Sequence, residues 1–194
     1  MSAVKSITPL SEEEYLRSEL TNETKHELID GYAYAMAGAS RNHERISINL
    51  LSEFRSHLKN SPCEPFGSDI KVKTRSNFFH PDAMVVCDDQ SEDEYYTNAP
   101  AIIIEVLSKS TRKADESTKL LSYINIPSLQ EYVLIEQDFV DIQVIRRNEG
   151  WLPKHYFLGD QITFESIDLT LAVEEIYHRV QNEDMLEFLE SKDK

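Results

Sequence analysis

The stretch Ala101-Ile102-Ile103-Ile104-Glu105-Val106-Leu107 decides how this chain is read. A run of apolar residues rich in isoleucine predicts a strand covered on both faces, as in the middle of a sheet. Alternation places Glu105 on the face of Ile103 and Leu107. A carboxylate buried alone there is costly. Glu105 is therefore expected to meet a cation, a strong hydrogen-bond donor or a metal, and a buried Glu–Arg or Glu–Lys pair is the plain structural alternative.

Upstream, His80-Pro81-Asp82-Ala83-Met84-Val85-Val86 poses the same question. Asp82 shares a face with Met84 and Val86, so an acid again opens an apolar strand face. Its plain alternative is an aspartate capping the preceding turn. Together the two acids are more specific than either alone. Adjacent strands with one inward acid each can hold a hard divalent cation, since Mg²⁺ commonly uses only one or two carboxylates beside water and phosphate oxygens. Such an ion polarises a phosphoryl oxygen and lowers the pKa of bound water, which is the chemistry of phosphodiester hydrolysis.

Further out, residues 11–19 and 41–59 read as helices. In the second, Ile46, Leu50, Phe54 and Leu58 recur every four residues behind a Ser40 cap. Residues 27–36 read as a hairpin turning at Asp30-Gly31. Residues 65–74 and 78–87 read as strands, 88–100 as an acidic loop, and 112–124 as a helix closed by Pro127. Strands are expected at 131–136, 139–147 and 151–158, and a short helix at 171–179. The sum is an α/β domain, a mixed sheet with flanking helices, over residues 1–180. Residues 181–194 form a charged tail, expected to be weakly held.

The chain has 194 residues, 40% hydrophobic and 28% charged, enough for one domain with a real core. No apolar run is long enough to span a membrane, and residues 1–10 lack the apolar core of a signal peptide. A cytoplasmic protein is expected, with Cys63 and Cys87 reduced because their spacing fits no zinc or redox motif. Net charge is −15, from 35 Asp and Glu against 20 Lys and Arg, which taken alone opposes binding to a polyanion. Local basic clusters and a bound cation can reverse that sign near a site. Only five glycines occur, and there is no Gly-rich phosphate loop, G-x-S-x-G elbow or H-E-x-x-H pair.

Pro81-Asp82 followed by Glu105-Val106-Leu107 resembles the PD-(D/E)xK nuclease motif. More narrowly, the chain is similar to the Uma-type restriction endonuclease family. The resemblance is carried by His26-Glu27-Leu28-Ile29-Asp30-Gly31, Ser68-Asp69-Ile70-Lys71-Val72, His80-Pro81-Asp82 and Ile104-Glu105-Val106-Leu107-Ser108-Lys109-Ser110-Thr111. Asp115, Lys119, Tyr123 and the run Pro127-Ser128-Leu129-Gln130-Glu131-Tyr132 extend it. It implies a restriction-endonuclease-like core, Mg²⁺ or Mn²⁺ as cofactor, DNA as substrate with a 5′-phosphate product, and a homodimer. The alternative is a nuclease-fold module that binds nucleic acid or protein without cutting.

On this resemblance Asp82 and Glu105 are the metal ligands. The superfamily's lysine belongs two residues after the glutamate, where Leu107 stands, so Lys119 on the next helix is the candidate; an exposed Asp115–Lys119 pair at i,i+4 is its bland reading. Glu27 is a third site carboxylate by resemblance, or an exposed strand residue. Asp69 and His43 form a second tier. Asp69 shares a face with Lys71 and Lys73, and His43 is in phase with Ile46 and Leu50 and otherwise reads as a core histidine. Lys71, Lys73, Lys109, Arg112 and Lys113 are the expected phosphate contacts, the first two continuing a period-two stripe to Arg75, the last three surrounding a helix start.

Overall fold

The computed structural model describes residue 6 and residues 8–87 and 93–192. Residues 88–92 of the expected acidic loop, residues 1–5 and 7, and the last two residues of the tail lie outside the described residues.

Local signals act where the chain carries them. Helix α1 (Glu12–Glu19) opens with a capping box: the Glu14 N–H donates to Ser11 Oγ, and the Ser11 N–H donates back to the Glu14 carboxylate. Strands β1 (His26–Ile29) and β2 (Tyr32–Ala35) meet in a two-residue turn, with φ of 50° at Asp30 and 81° at Gly31. Helix α2 (Arg41–His57) starts at Ser40, whose Oγ accepts from the His43 N–H at 3.1 Å.

A six-stranded sheet forms the frame. Its strands are β3 (Cys63–Gly67), β6 (Ala83–Cys87), β8 (Pro100–Leu107), β9 (Glu131–Glu136), β10 (Ile142–Arg146) and β11 (Pro153–Tyr156), in the spatial order β11-β10-β9-β8-β6-β3. Strands β8 and β9 are parallel and the other pairs antiparallel. As the apolar run requires, β8 lies inside the sheet and is buried throughout. Its two faces separate cleanly. Ile102, Ile104 and Val106 pack with Ile46, Leu50 and Phe54 of α2. Ile103 and Leu107 pack with Met84, Tyr123, Ile126 and Tyr132 on the opposite side. That second face is covered by the crossover between β8 and β9, a π-helical turn (Ala114–Lys119) running into α3 (Leu120–Tyr123).

A smaller sheet holds β1, β2, β4 (Lys71–Thr74), β5 (Asn77–Phe79) and β7 (Tyr96–Thr97) in the order β2-β1-β5-β4-β7, with Tyr15 of α1 packed on Leu28 and Phe78. Two expected strands are in fact each divided between the sheets. Residues 65–74 break at the Ser68-Asp69 turn into β3 and β4. Residues 78–87 break at His80-Pro81-Asp82 into β5 and β6. Pro81 has no N–H to give to a ladder, so the chain changes sheets there. Arg75 follows the end of β4 with φ 50°, which ends the expected basic stripe at Lys73.

The C-terminal region departs furthest. Residues 171–179, expected to be one helix, are divided between β13 (Leu169–Ala172), which pairs with β12 (Gln161–Phe164), and the single turn of α4 (Val173–Ile176). The strand expected at 139–147 shortens to β10, and that at 151–158 to β11. The tail expected to be weakly held forms α5 (Glu183–Lys192), which is anchored because Met185 is buried and the Asp184 carboxylate accepts from the Val140 N–H at 2.6 Å. Among the described residues no helix is long and apolar enough to cross a membrane.

The cysteines are also corrected. Antiparallel pairing of β3 with β6 sets Cys63 directly opposite Cys87, with Cα atoms 4.0 Å apart, and the two are joined in a disulfide. Neither residue's spacing reveals this, because the pairing of these two strands is a tertiary fact. A link across 24 positions is expected to contribute about 3 kcal/mol. Reduction, or Cys63→Ala with Cys87→Ala, should lower the unfolding free energy by that amount in denaturant titration. Two titratable thiols in the unreduced folded protein would refute the link.

Candidate active site

Glu105 points to the crossover side of β8 and is 2% exposed. Lys119 Nζ and the Tyr123 hydroxyl both donate to its Oε1, at 3.0 and 3.1 Å. Lys119 itself is 4% exposed and lies between three acids: Glu27 Oε1 at 2.9 Å, Glu105 Oε1 at 3.0 Å and Asp115 Oδ1 at 3.1 Å. The i,i+4 pair Asp115–Lys119 is therefore buried rather than exposed. Glu27 reaches the cluster from β1 and also accepts from the His80 N–H at 3.2 Å.

Asp82 stands just before β6, and the chain there is tied to β8 on both sides of Glu105. Its N–H donates to the Ile104 carbonyl at 3.1 Å, and its Oδ2 accepts from the Val106 N–H at 2.7 Å. His43, in the first turn of α2, brings Nε2 to 3.2 Å from the same Oδ2. The histidine thus contacts a candidate site acid rather than core residues alone. Its Nδ1 is buried without a hydrogen-bond partner among the described residues.

Electrostatics follow from this crowding. Burial, reinforced by the charges of Asp115, Asp82 and Glu27, raises the Glu105 pKa well above the ordinary carboxylate value, against the opposing pull of Lys119. Burial likewise raises Asp115. For Lys119 burial acts downward, but Glu105, Glu27 and Asp115 outweigh it, so the amine stays protonated far above neutrality. Burial would also lower His43, and the bond to Asp82 turns that into a rise. Glu27, Asp82, Glu105 and Asp115 outnumber the cationic partners around them.

The donor set fits a hard divalent cation in chemistry. Asp82, at the entry to β6, and Glu105, on the neighbouring β8, are both carboxylates, and among the described residues the hydrogen bonds to Glu105 go to Oε1. A cation would also relieve the excess negative charge. The protein side chains do not enclose an ion on their own: among the described residues no group of three or more His, Cys, Asp or Glu is so arranged. Water and a substrate phosphate would complete the shell.

Other predicted residues lie elsewhere. Asp69 is in the Ser68-Asp69 turn, largely exposed, and pairs with Lys25. Lys71 is buried, with Nζ 5.9 Å from the Tyr95 ring centroid. Lys73 pairs with Glu12 at 2.6 Å and lies over the Phe78 and Tyr96 rings. Arg112 is engaged by Glu136, with Nη2 2.6 Å from Oε2. Of the five expected phosphate contacts, Lys109 and Lys113 are exposed. Leu107 is buried in the core, and Lys119 supplies the ammonium beside Glu105 from the crossover helix. Sequence reasoning placed Asp115 and Tyr123 in the family resemblance but not in the site; their spacing of four from Lys119 was the signal that could have put them there. Two shallow surface hollows, one around Asn22 and His26, the other around Arg146 and Glu165, include none of these acids.

Residues 12–174 match the family described as "Uma2: Putative restriction endonuclease". The chain belongs to the Uma2 family. Two uncharacterised Synechocystis proteins are similar to it. One, slr1290, is 38% identical over 174 residues, which is 87% of this chain and 91% of that protein. The other, sll1609, is 34% identical over 142 residues, 71% and 80% of the two chains. A crystal structure described as a "putative nuclease belonging to DUF820", from Anabaena variabilis, superposes with a TM-score of 0.74 at 19% identity, covering 89% of this chain and all of that one. The architecture is restriction-endonuclease-like, and Uma2 membership points to a nuclease-like function.

Lys119→Met tests the charge balance. Removing the cation leaves buried carboxylates unmatched and should destabilise by about 3–5 kcal/mol near neutral pH. The acids then have folded pKa values above their unfolded ones. They hold protons that the unfolded chain releases, so stability falls as pH rises above about 4. Denaturant titrations of variant and wild type should show a deficit that shrinks towards acid pH. A deficit independent of pH would mean that Lys119 acts through packing alone.

Proposed function

We propose that this protein is a Mg²⁺- or Mn²⁺-dependent endonuclease that hydrolyses DNA phosphodiester bonds and leaves 5′-phosphate ends. The observation that carries this reading is that Asp82, just before β6, is hydrogen-bonded to the β8 backbone on both sides of Glu105, with Lys119 joined to Glu105. Uma2 membership supports it.

In this reading Asp82 and Glu105 hold the cation. When bound, the ion polarises a phosphoryl oxygen and lowers the pKa of its water. Lys119 remains an ammonium and so does not act as a base. It presents a fixed positive charge that orients the attacking water or offsets negative charge developing on phosphate. Glu27 and Asp115 hold that ammonium in place. Lys109 and Lys113, exposed at the start of the crossover helix, contact phosphates and position the duplex without reading its sequence. Pairing of two copies would let the enzyme address both strands.

Calorimetric titration of Mg²⁺ and Mn²⁺, with and without a DNA oligomer, should show binding in the wild type and none in a folded Asp82→Ala, Glu105→Ala variant. Cleavage of supercoiled DNA should fall on the order of a thousandfold in the variant. DNA binding with neither metal binding nor cleavage in the wild type would identify a non-cutting module instead.

A further inference from the structure

The crossover helix is not uniform. Ala114–Lys119 is a π turn, followed by α geometry over Leu120–Tyr123. In an α-helix four residues overshoot a full turn by about 40°. Asp115, Lys119 and Tyr123, spaced by four, would therefore drift around a regular helix. A π turn winds more slowly, so its four-residue step falls short and offsets the drift of the α step that follows. All three side chains accordingly end on one buried face, with Lys119 and Tyr123 on the same Glu105 oxygen.

The backbone of this turn is tied to the sheet through the Asp115 carbonyl. The Asp115 carbonyl, inside the π turn, accepts from the Tyr132 hydroxyl at 3.0 Å in a buried hydrogen bond. Tyr132 lies on β9 opposite Ile103 of β8, so it belongs to the strand beside Glu105. Its ring meets Tyr123 edge-on, with centroids 5.3 Å apart. The hydroxyl donates to neither Glu105 nor Lys119 but to the backbone that carries Lys119.

We propose that Tyr132 is a positioning residue whose hydroxyl, by capping the Asp115 carbonyl, holds the π turn and so keeps Lys119 on Glu105 and Glu27. The role rests on the nuclease reading above for its catalytic consequence, but not for its structural one. Without the hydroxyl the carbonyl loses a buried donor, and the segment relaxes towards α geometry. Lys119 then rotates relative to Asp115 and Tyr123.

Tyr132→Phe keeps the ring and removes only the hydroxyl. Tyr177→Phe is the control, because it also removes a buried hydroxyl, one that donates to the Glu136 carbonyl at 2.7 Å. In Tyr132→Phe, backbone amides of residues 115–120 should exchange faster by mass spectrometry while those of β8 stay protected. DNA cleavage kcat should fall about ten- to a hundredfold with KM unchanged. Tyr177→Phe should lose stability and show neither effect. Unchanged exchange over 115–120 in Tyr132→Phe, or a kcat equal to that of Tyr177→Phe, would overturn the proposal. A wild type that cleaves nothing would instead defeat the nuclease reading, and the exchange comparison would then decide the positioning role alone.

Discussion

The ammonium of Lys119 is the point on which the arrangement turns. A strand as apolar as β8, enclosed by β6 and β9, cannot carry a lone ionised glutamate, and Glu105 sits on its crossover face because a cation is built in beside it. The same cation draws in Glu27 from the smaller sheet and Asp115 from the crossover helix. One buried charge thus couples three elements that share no backbone ladder. The six-stranded sheet supplies rigidity, the break at His80-Pro81-Asp82 supplies a second acid at the edge of the cluster, and the crossover supplies the balancing charge.

Comparison with another buried acid shows what is unusual about Glu105. Glu131, at the start of β9, is also almost fully buried. It accepts from Arg146 Nε at 3.2 Å, from the N–H groups of Glu165 and Ser166, and from Ser166 Oγ at 2.7 Å. Both of its oxygens are occupied, and it ties β9 to the segment before β13. Its hydrogen-bonding capacity is used in holding the fold together. Glu105 differs in having its donors crowded onto one oxygen while three further carboxylates face it. Excess charge with spare ligand capacity marks a site; a closed set of donors marks a brace.

Much of this was legible before any coordinates. The isoleucine run foretold a central strand, and alternation alone put Glu105 on the face of Ile103 and Leu107. The four-residue recurrence from Ile46 to Phe54 foretold the helix on the opposite face. What could not be read were facts about partners. Resemblance placed Asp69 in a second tier of the site, and charge placed Arg112 near phosphate, but Lys25 and Glu136 claim them. Continuous β-patterning over 65–74 and 78–87 hid two changes of sheet, because alternation does not say which neighbour a strand will have. The tail looked too charged to be held, yet a single buried methionine and an aspartate at a backbone N–H anchor it. Short strands such as β12 and β13 leave too little pattern to separate from a helical turn.

The placement of the lysine has a consequence for how the protein is made. Were the acid and the lysine two residues apart on one strand, that strand alone would carry half of the constellation. Here Leu107 fills that place and the ammonium arrives from the crossover, while Glu27 comes from a hairpin near the N-terminus. The cluster depends on contacts between segments far apart in the chain, which are completed only when both sheets and the helix have docked. A chain emerging from the ribosome therefore holds the parts but not the assembly until residue 119 has docked, so the charge constellation arises from tertiary docking rather than from any one segment as it is made.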